Sequence, residues 1–342
     1  MAVGVDERSE ELEATTLSNP DCFLAICAEL RSRCDVEPAT VFDEAARLYR
    51  WLEANERSLG LFDERDYFMG ESALTAGNAA RQLGMRDEAE CWYDRAEAGF
   101  RHTVNPAPLM ANVAYARLTL HYDRRQYQRV FDVLPSLSMS YRKFGMNRER
   151  LKCDFLGAMA LKESSRIDEA MARLEAMKAD DALAAEPSLE ALVWVHYGEL
   201  LSSKGKYAEA IACLQEVSSH QAARTQPLVA AHLKGAMAEA FRQQGMPSHA
   251  AEALQGAAEE YAAAGMATLE AYVRIVLAET LIALNRNREA EWQIAAALPT
   301  IEEQRMVPEG FAAVALLRDS VRRRKADPIA LRQLREKLKV KG

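Results

Sequence analysis

Between Trp194 and Val217, apolar side chains fall at 194, 197 and 201, then again at 207, 210, 211, 214 and 217. Both sets keep the 3.6-residue period of a helix that buries one stripe. Gly205 separates them where the chain must reverse, and a residue without Cβ accepts the left-handed backbone such a reversal needs. Gly198 and Ala210 are small where two helix axes would press together. The stretch predicts an antiparallel helical hairpin.

The pattern returns at a fixed interval. The small residue at the centre of each second helix is Ala89, then Val130, Ala170, Ala210, Ala250 and Ala290, one step of 41 followed by four of 40. Tyr141, Tyr261 and Ile301 each stand five residues before a methionine, at Met146, Met266 and Met306, and Gly145 and Gly265 precede two of them as helix stops. First helices are expected near 69–82, 107–122, 148–163, 188–203, 227–243 and 267–284. Their partners are expected near 86–102, 126–143, 167–178, 207–219, 247–264 and 287–304. Pro106, Pro108, Pro187, Pro227 and Pro247 fall at or just before predicted helix starts, where proline is tolerated, whereas Pro135 should kink or split a second helix.

Ahead of this array, Cys22 to Cys34 predicts a helix with Leu24, Ile26, Leu30 and the cysteines inward. Glu37-Pro38 opens a second helix through Leu52, with Ala45, Tyr49 and Leu52 in the repeat pattern. An irregular connection over about 56–68 follows. At the far end, 308–324 and 328–339 predict a closing helical pair whose charged outer face suits a terminal repeat.

The order of Trp194, Gly198, Leu201, Gly205, Tyr207, Ala210, Leu214 and Val217 resembles the tetratricopeptide repeat (TPR). Forty residues exceeds the roughly 34 of the simplest TPR. Long repeats of this kind resemble the TPR regions of bacterial regulatory proteins, including signal-responsive transcription factors and peptide-sensing regulators; the resemblance spans roughly 38–306. It implies an all-α fold: a right-handed α-solenoid superhelix of about seven TPR-like hairpins plus a C-terminal capping helix pair. The expected organisation is a flexible segment at 1–20, the solenoid at 21–306, and capping helices with a basic tail at 307–342.

Composition narrows the chemistry. The formal charge is −8, yet residues 301–342 carry 11 Lys or Arg against 6 Asp or Glu, a net of +5 that leaves −13 for residues 1–300. The acidic body argues against nucleic acid as a partner, with the tail at 318–341 the one candidate site. Cys22, Cys27, Cys34, Cys91, Cys153 and Cys213 make no C-x-x-C pair and no zinc spacing with histidine, so packing is their expected role. No apolar run spans a bilayer and no signal-peptide core opens the chain, so a reducing cytoplasm is expected. Phosphate-binding, nucleophile-elbow and metalloprotease motifs are absent, and no cofactor is implied. Cys213 and His220 are seven apart on what reads as one helix face, though Ile211 and Leu214 beside the cysteine favour packing over nucleophilic catalysis.

In TPR arrays the first helix of each pair lines the concave face. That resemblance puts Asn78, Arg81, Asn112, Tyr115 and Tyr122 on the groove, followed by Lys152, Phe155, Met159 and Lys162. Leu192, Val195 and Glu199 continue the row, then His232, Glu239 and Arg242, and finally Tyr272, Ile275 and Glu279. Aromatic, amide and mixed-charge side chains suit a peptide or protein segment; equally, in a tight superhelix these residues could contact one another. The carboxylate clamp of chaperone-binding TPRs is incomplete, because Asn78 occupies one slot while Leu74, Tyr115 and Ala116 occupy its companions. The expected function is a noncatalytic interaction scaffold or adaptor in bacterial regulation or signalling. The alternative is a ligand- or peptide-responsive sensory regulator acting on a partner effector or transcription factor. The sequence leaves the oligomeric state open.

Overall fold

The computed structural model describes residues 20–34, 37–55 and 64–303, and among them there is no strand. The flexible segment expected at 1–20 lies almost wholly outside these residues; the closing helical pair and basic tail lie entirely outside them. Contacts divide the chain into two compact units, one ending at Ala160 and the other beginning at Leu161.

The first unit starts with α1 (Pro20–Arg33) and α2 (Pro38–Ala54). Two further hairpins follow: α3 (Arg65–Gln82) with α4 (Arg86–Phe100), and α5 (Pro106–Asp123) with α6 (Tyr127–Lys143). α7 (Asn147–Glu163) begins in this unit and ends in the next. The second unit continues with α8 (Ile167–Lys178), α9 (Pro187–Ser203), α10 (Tyr207–Val217) and the short α11 (Gln221–Thr225). It ends with α12 (Pro227–Gln243), α13 (Pro247–Ala263), α14 (Ala267–Ala283) and α15 (Asn287–Glu303).

The forty-residue beat is a packing beat. Ala89, Val130, Ala170, Ala210, Ala250 and Ala290 are all fully buried, as is Ala45 in α2. A larger side chain at these points would push paired helices apart. At Gly198 an added Cβ would lie 2.8 Å from the Leu214 side chain, and at Gly99 it would lie 2.8 Å from the Gly70 backbone nitrogen. The first approach is against a side chain, whereas the second is against backbone that cannot rotate away.

The hairpin turns share one solution. After the first helices, Gly84, Arg125, Ser165, Gly205, Gly245 and Asn285 all adopt positive φ between 56° and 78°. The next residue then donates its N–H to a carbonyl five residues back, as in Met85 to Ala80 and Lys206 to Leu201 at 2.9 and 3.0 Å. This closure satisfies carbonyls that the helix end would leave unpaired. It also accounts for the Tyr–Met spacing, since Met146 and Met266 donate to Tyr141 and Tyr261 at 2.9 Å beyond Gly145 and Gly265.

Four expectations need correction. Leu24 is exposed and Phe23 is fully buried, its ring 4.5 Å from that of Phe68 and 6.4 Å from that of Trp51. The inward stripe runs through Phe23, Cys27, Leu30 and Cys34, at steps of four, three and four, which turns Leu24 off it. The helix expected from about 69 already begins at Arg65. Of the kink or split expected at Pro135, the split does not occur: α6 runs continuously through it, and Pro299 likewise sits inside α15. Two short elements were not anticipated: a 3-10 turn at Asp181–Ala185 and α11. Both follow second helices of only 12 and 11 residues, where α6, α13 and α15 run 17, so they occupy chain that the other repeats spend on helix. Buried Leu183, Ala222 and Ala223 tie them to the core.

Candidate functional site

In the second unit the first helices of successive repeats leave an open cavity of about 570 Å³. Lys162 from α7, Glu199, Ser202 and Ser203 from α9, and His232, Glu239, Arg242 and Gln243 from α12 line it. Tyr272, Val273 and Val276 come from α14, while Tyr207, Leu254 and Tyr261 enter from second helices. Cavities of this size accept small molecules or a few residues of peptide.

The charges on the wall are paired across helices. Lys162 Nζ forms an ion pair with Glu199 Oε2, and His196 Nδ1 lies 2.8 Å from the same oxygen. Burial works against the charge of Glu199, but the facing His196 and Lys162 outweigh it and hold its carboxyl well below the usual carboxylate range. Burial, with His196 nearby, lowers the His232 imidazole below its ordinary value. Its Nδ1 lies 3.3 Å from the Tyr261 hydroxyl, and its ring centroid is 6.4 Å from that of His196. Arg242 reaches back along α12 to Glu239 with two parallel bonds of 2.9 and 2.8 Å. Glu279, buried in α14, also acts on the Arg242 charge.

The projected groove residues thus divide. Lys162, Glu199, His232, Arg242 and Tyr272 surround this one cavity, while Glu279 is buried and does not line it. In the first unit four of the projected residues, Asn78, Arg81, Asn112 and Tyr122, join helices to one another. The Tyr93 hydroxyl donates to Asn78 Oδ1 at 3.1 Å, and Arg81 pairs with Asp123 at 2.7 Å. The Tyr141 hydroxyl donates to the Ala111 carbonyl at 3.0 Å with Asn112 Oδ1 in reach at 3.2 Å, and Tyr122 packs edge-on to Tyr127 at 5.7 Å. Burial raises the Tyr115 hydroxyl above its ordinary range; Phe155 is half-buried and Lys152 exposed. Asn112–Tyr141 and His232–Tyr261 are one repeat contact separated by 120 residues.

Sequence projection missed Ser202, Tyr207 and Tyr261. The last two belong to second helices, which the projection left out. Ser202 carried a signal, standing forty residues after Lys162 and forty before Arg242. The Cys213–His220 pair does not share a helix face, because α10 ends at Val217 and His220 lies beyond it. The Cys213 thiol points to the Trp194 carbonyl at 3.8 Å, and burial pushes its pKa up, the opposite of an activated nucleophile. Among the described residues no group of three or more His, Cys, Asp or Glu side chains is arranged to hold a metal ion, and no helix is long and apolar enough to cross a membrane.

No protein-family model and no curated protein matches the sequence. Among solved structures, the chain is similar to the Rap conjugation gene regulator of the plasmid pLS20 in complex with the Phr* peptide. The TM-score is 0.62 and the identity 16%, over 83% of this chain and 76% of that one. It is also similar to a Rap protein complexed with competence and sporulation factor, with a TM-score of 0.58 and 15% identity over 95% of this chain and 89% of the other. At such identities the likeness establishes the helical-repeat fold.

Proposed function

We propose that this chain, sharing its fold with peptide-bound Rap structures, is a noncatalytic regulatory scaffold that takes a short peptide segment in the cavity of its second unit. One observation carries the reading: side chains from four successive first helices converge on a single open cavity with both charge signs and aromatic edges. Peptides offer backbone donors and acceptors together with side chains of either sign, so this mixed wall suits them better than it suits a purely apolar ligand. The paired charges also favour a ligand-responsive role over a passive adaptor. Lys162–Glu199 joins α7 to α9, so a ligand that repartners either group changes the spacing of two repeats. We place this activity in bacterial signalling within the cytoplasm, with no chemical step assigned to the cavity.

Isothermal titration of the protein with short peptides tests the reading. Binding should weaken about ten-fold or more in Tyr272→Ala and Arg242→Ala, with the helical circular-dichroism signal unchanged. Undiminished binding in both variants would remove the cavity from the account.

A further inference from the structure

One register position recurs as the third residue of four first helices: Glu149, Leu189, Val229 and Leu269, at steps of forty. What precedes each helix decides what that position meets. Ahead of Leu189 and Val229 the second helices stop early, and the chain folds into the 3-10 turn at Asp181–Ala185 and into α11. The turn packs on α9, and α11 packs on α9 and α12. Val229 is 3% exposed, in one core cluster with Ala222 and Ala223 of α11. Ahead of Glu149 and Leu269 the second helices α6 and α13 run straight on, and a three-residue turn leads into α7 and α14. The residues forty after Ala222 and Ala223 are Ala262 and Ala263, which stay in α13 and are exposed. After α6 the register position is filled by an acid, which suits a helix start that nothing folds over. After α13 it is filled by Leu269, which is 37% exposed.

This apolar face is continuous with the cavity. Leu269, Tyr272, Val273 and Val276 stand at i, i+3, i+4 and i+7 on one side of α14, and all four line it. The other first helices bring charge instead. Lys162 is ion-paired with Glu199, and Glu239 is held by Arg242 and Gln243. The charged side of the cavity is therefore matched within the chain, whereas the α14 side gains only when a ligand displaces water from it.

We infer that the α14 face built on Leu269, Tyr272, Val273 and Val276 is the specificity subsite of the cavity and takes an aliphatic side chain of the bound peptide. That side chain packs on Leu269 as Ala222 and Ala223 pack with Val229 one repeat earlier, so the fold already contains an internal version of the contact. The inference rests on the reading above for the ligand being a peptide, and adds which of its side chains is selected. Leucine and asparagine have similar shapes, but Leu269, Val273 and Val276 offer an amide nothing in return for the water it loses.

The test uses the immobilised full chain and two acetylated pentapeptide pools, one with a central leucine and one with a central asparagine. Flanking positions are drawn from glycine, serine, threonine, glutamate and lysine, and retained peptides are counted by mass spectrometry. The leucine pool should be retained about ten-fold better. Leu269→Glu installs the residue type that Glu149 holds at this register, and a carboxylate in the first turn suits the helix dipole. The variant should keep its helical signal and thermal midpoint while the leucine pool falls to the level of the asparagine pool. Leu269→Ala, which adds no charge, should lose most of the preference too. Equal retention of the two pools by the parent chain, or a leucine preference that survives both variants, overturns the subsite and leaves peptide binding standing. Self-association of the free chain in sedimentation, removed by Leu269→Glu, would assign the face to a second copy and likewise overturn the subsite. Retention of neither pool above a heat-denatured control overturns both readings.

Discussion

The guanidinium of Arg31 lies 2.5 Å from the carboxylate of Glu71, forty residues along the chain, and joins α1 to α3. The two partners are unequally placed: the Glu71 side chain is 3% exposed and that of Arg31 49%. Burial raises the Glu71 pKa, and Arg31 opposes that rise. Arg31→Ala would leave a buried carboxylate without its counter-ion and should cost about 1–3 kcal/mol at pH 7, the upper range being reduced because Arg31 is half in water. The deficit should shrink as pH falls toward 5, where the isolated carboxyl accepts a proton. Urea melts of both proteins at the two pH values measure this, and a pH-independent deficit would contradict it.

The turn residues offer the opposite change. Arg125 and Ser165 hold φ of 56° and 60° in turns where Gly84, Gly205 and Gly245 do the same work without Cβ strain. Ser165→Gly and Arg125→Gly should each stabilise by about 0.5–1 kcal/mol, because the left-handed strain removed exceeds the added chain entropy. Gly205→Ala should destabilise by about 1 kcal/mol. Thermal midpoints moving the other way would refute this account of the turns.

Gly99 packs against the backbone of α3, with Asp66 O 2.9 Å from an added Cβ. Gly99→Ala should therefore cost about 2 kcal/mol or more, since neither main chain can yield without disturbing the hairpin. Gly198→Ala meets the Leu214 side chain, at Cγ and Cδ2, rather than backbone, and should cost less. Equal losses in the two variants would show that the distinction between backbone and side-chain contact is irrelevant here.

Acid should loosen the cavity. The folded-state pKa of His232 lies below its usual value, so the unfolded chain binds the proton more readily. Stability is fully present above the ordinary histidine range near pH 6.5 and is lost as pH falls through it. Glu199, whose pKa is lowered, stays ionised across that window and makes no competing contribution. His232→Gln should flatten the midpoint-versus-pH curve between pH 7 and 5.5. An unchanged slope would assign the dependence to another group.

Much of this architecture was legible because helix packing repeats. Ala170, Ala210 and Ala250 are small for one local reason, the approach of two helix axes, so each repeat restates the same constraint in sequence. Leu24 and Phe23 show where legibility ends, since both are apolar neighbours and only the packing of Phe68 and Trp51 selects which turns inward.

Periodicity by itself determined the hairpins, their turns and the residues at each helix pair's closest approach. Three-dimensional packing decided that Asn78, Arg81 and Asn112 bond neighbouring helices, whereas Lys162, Glu199, His232 and Arg242 surround a cavity. The two sets share repeat positions, so the pattern treats them alike. What separates them is which side chains stand opposite once the helices are stacked, and the chain does not encode that distance locally.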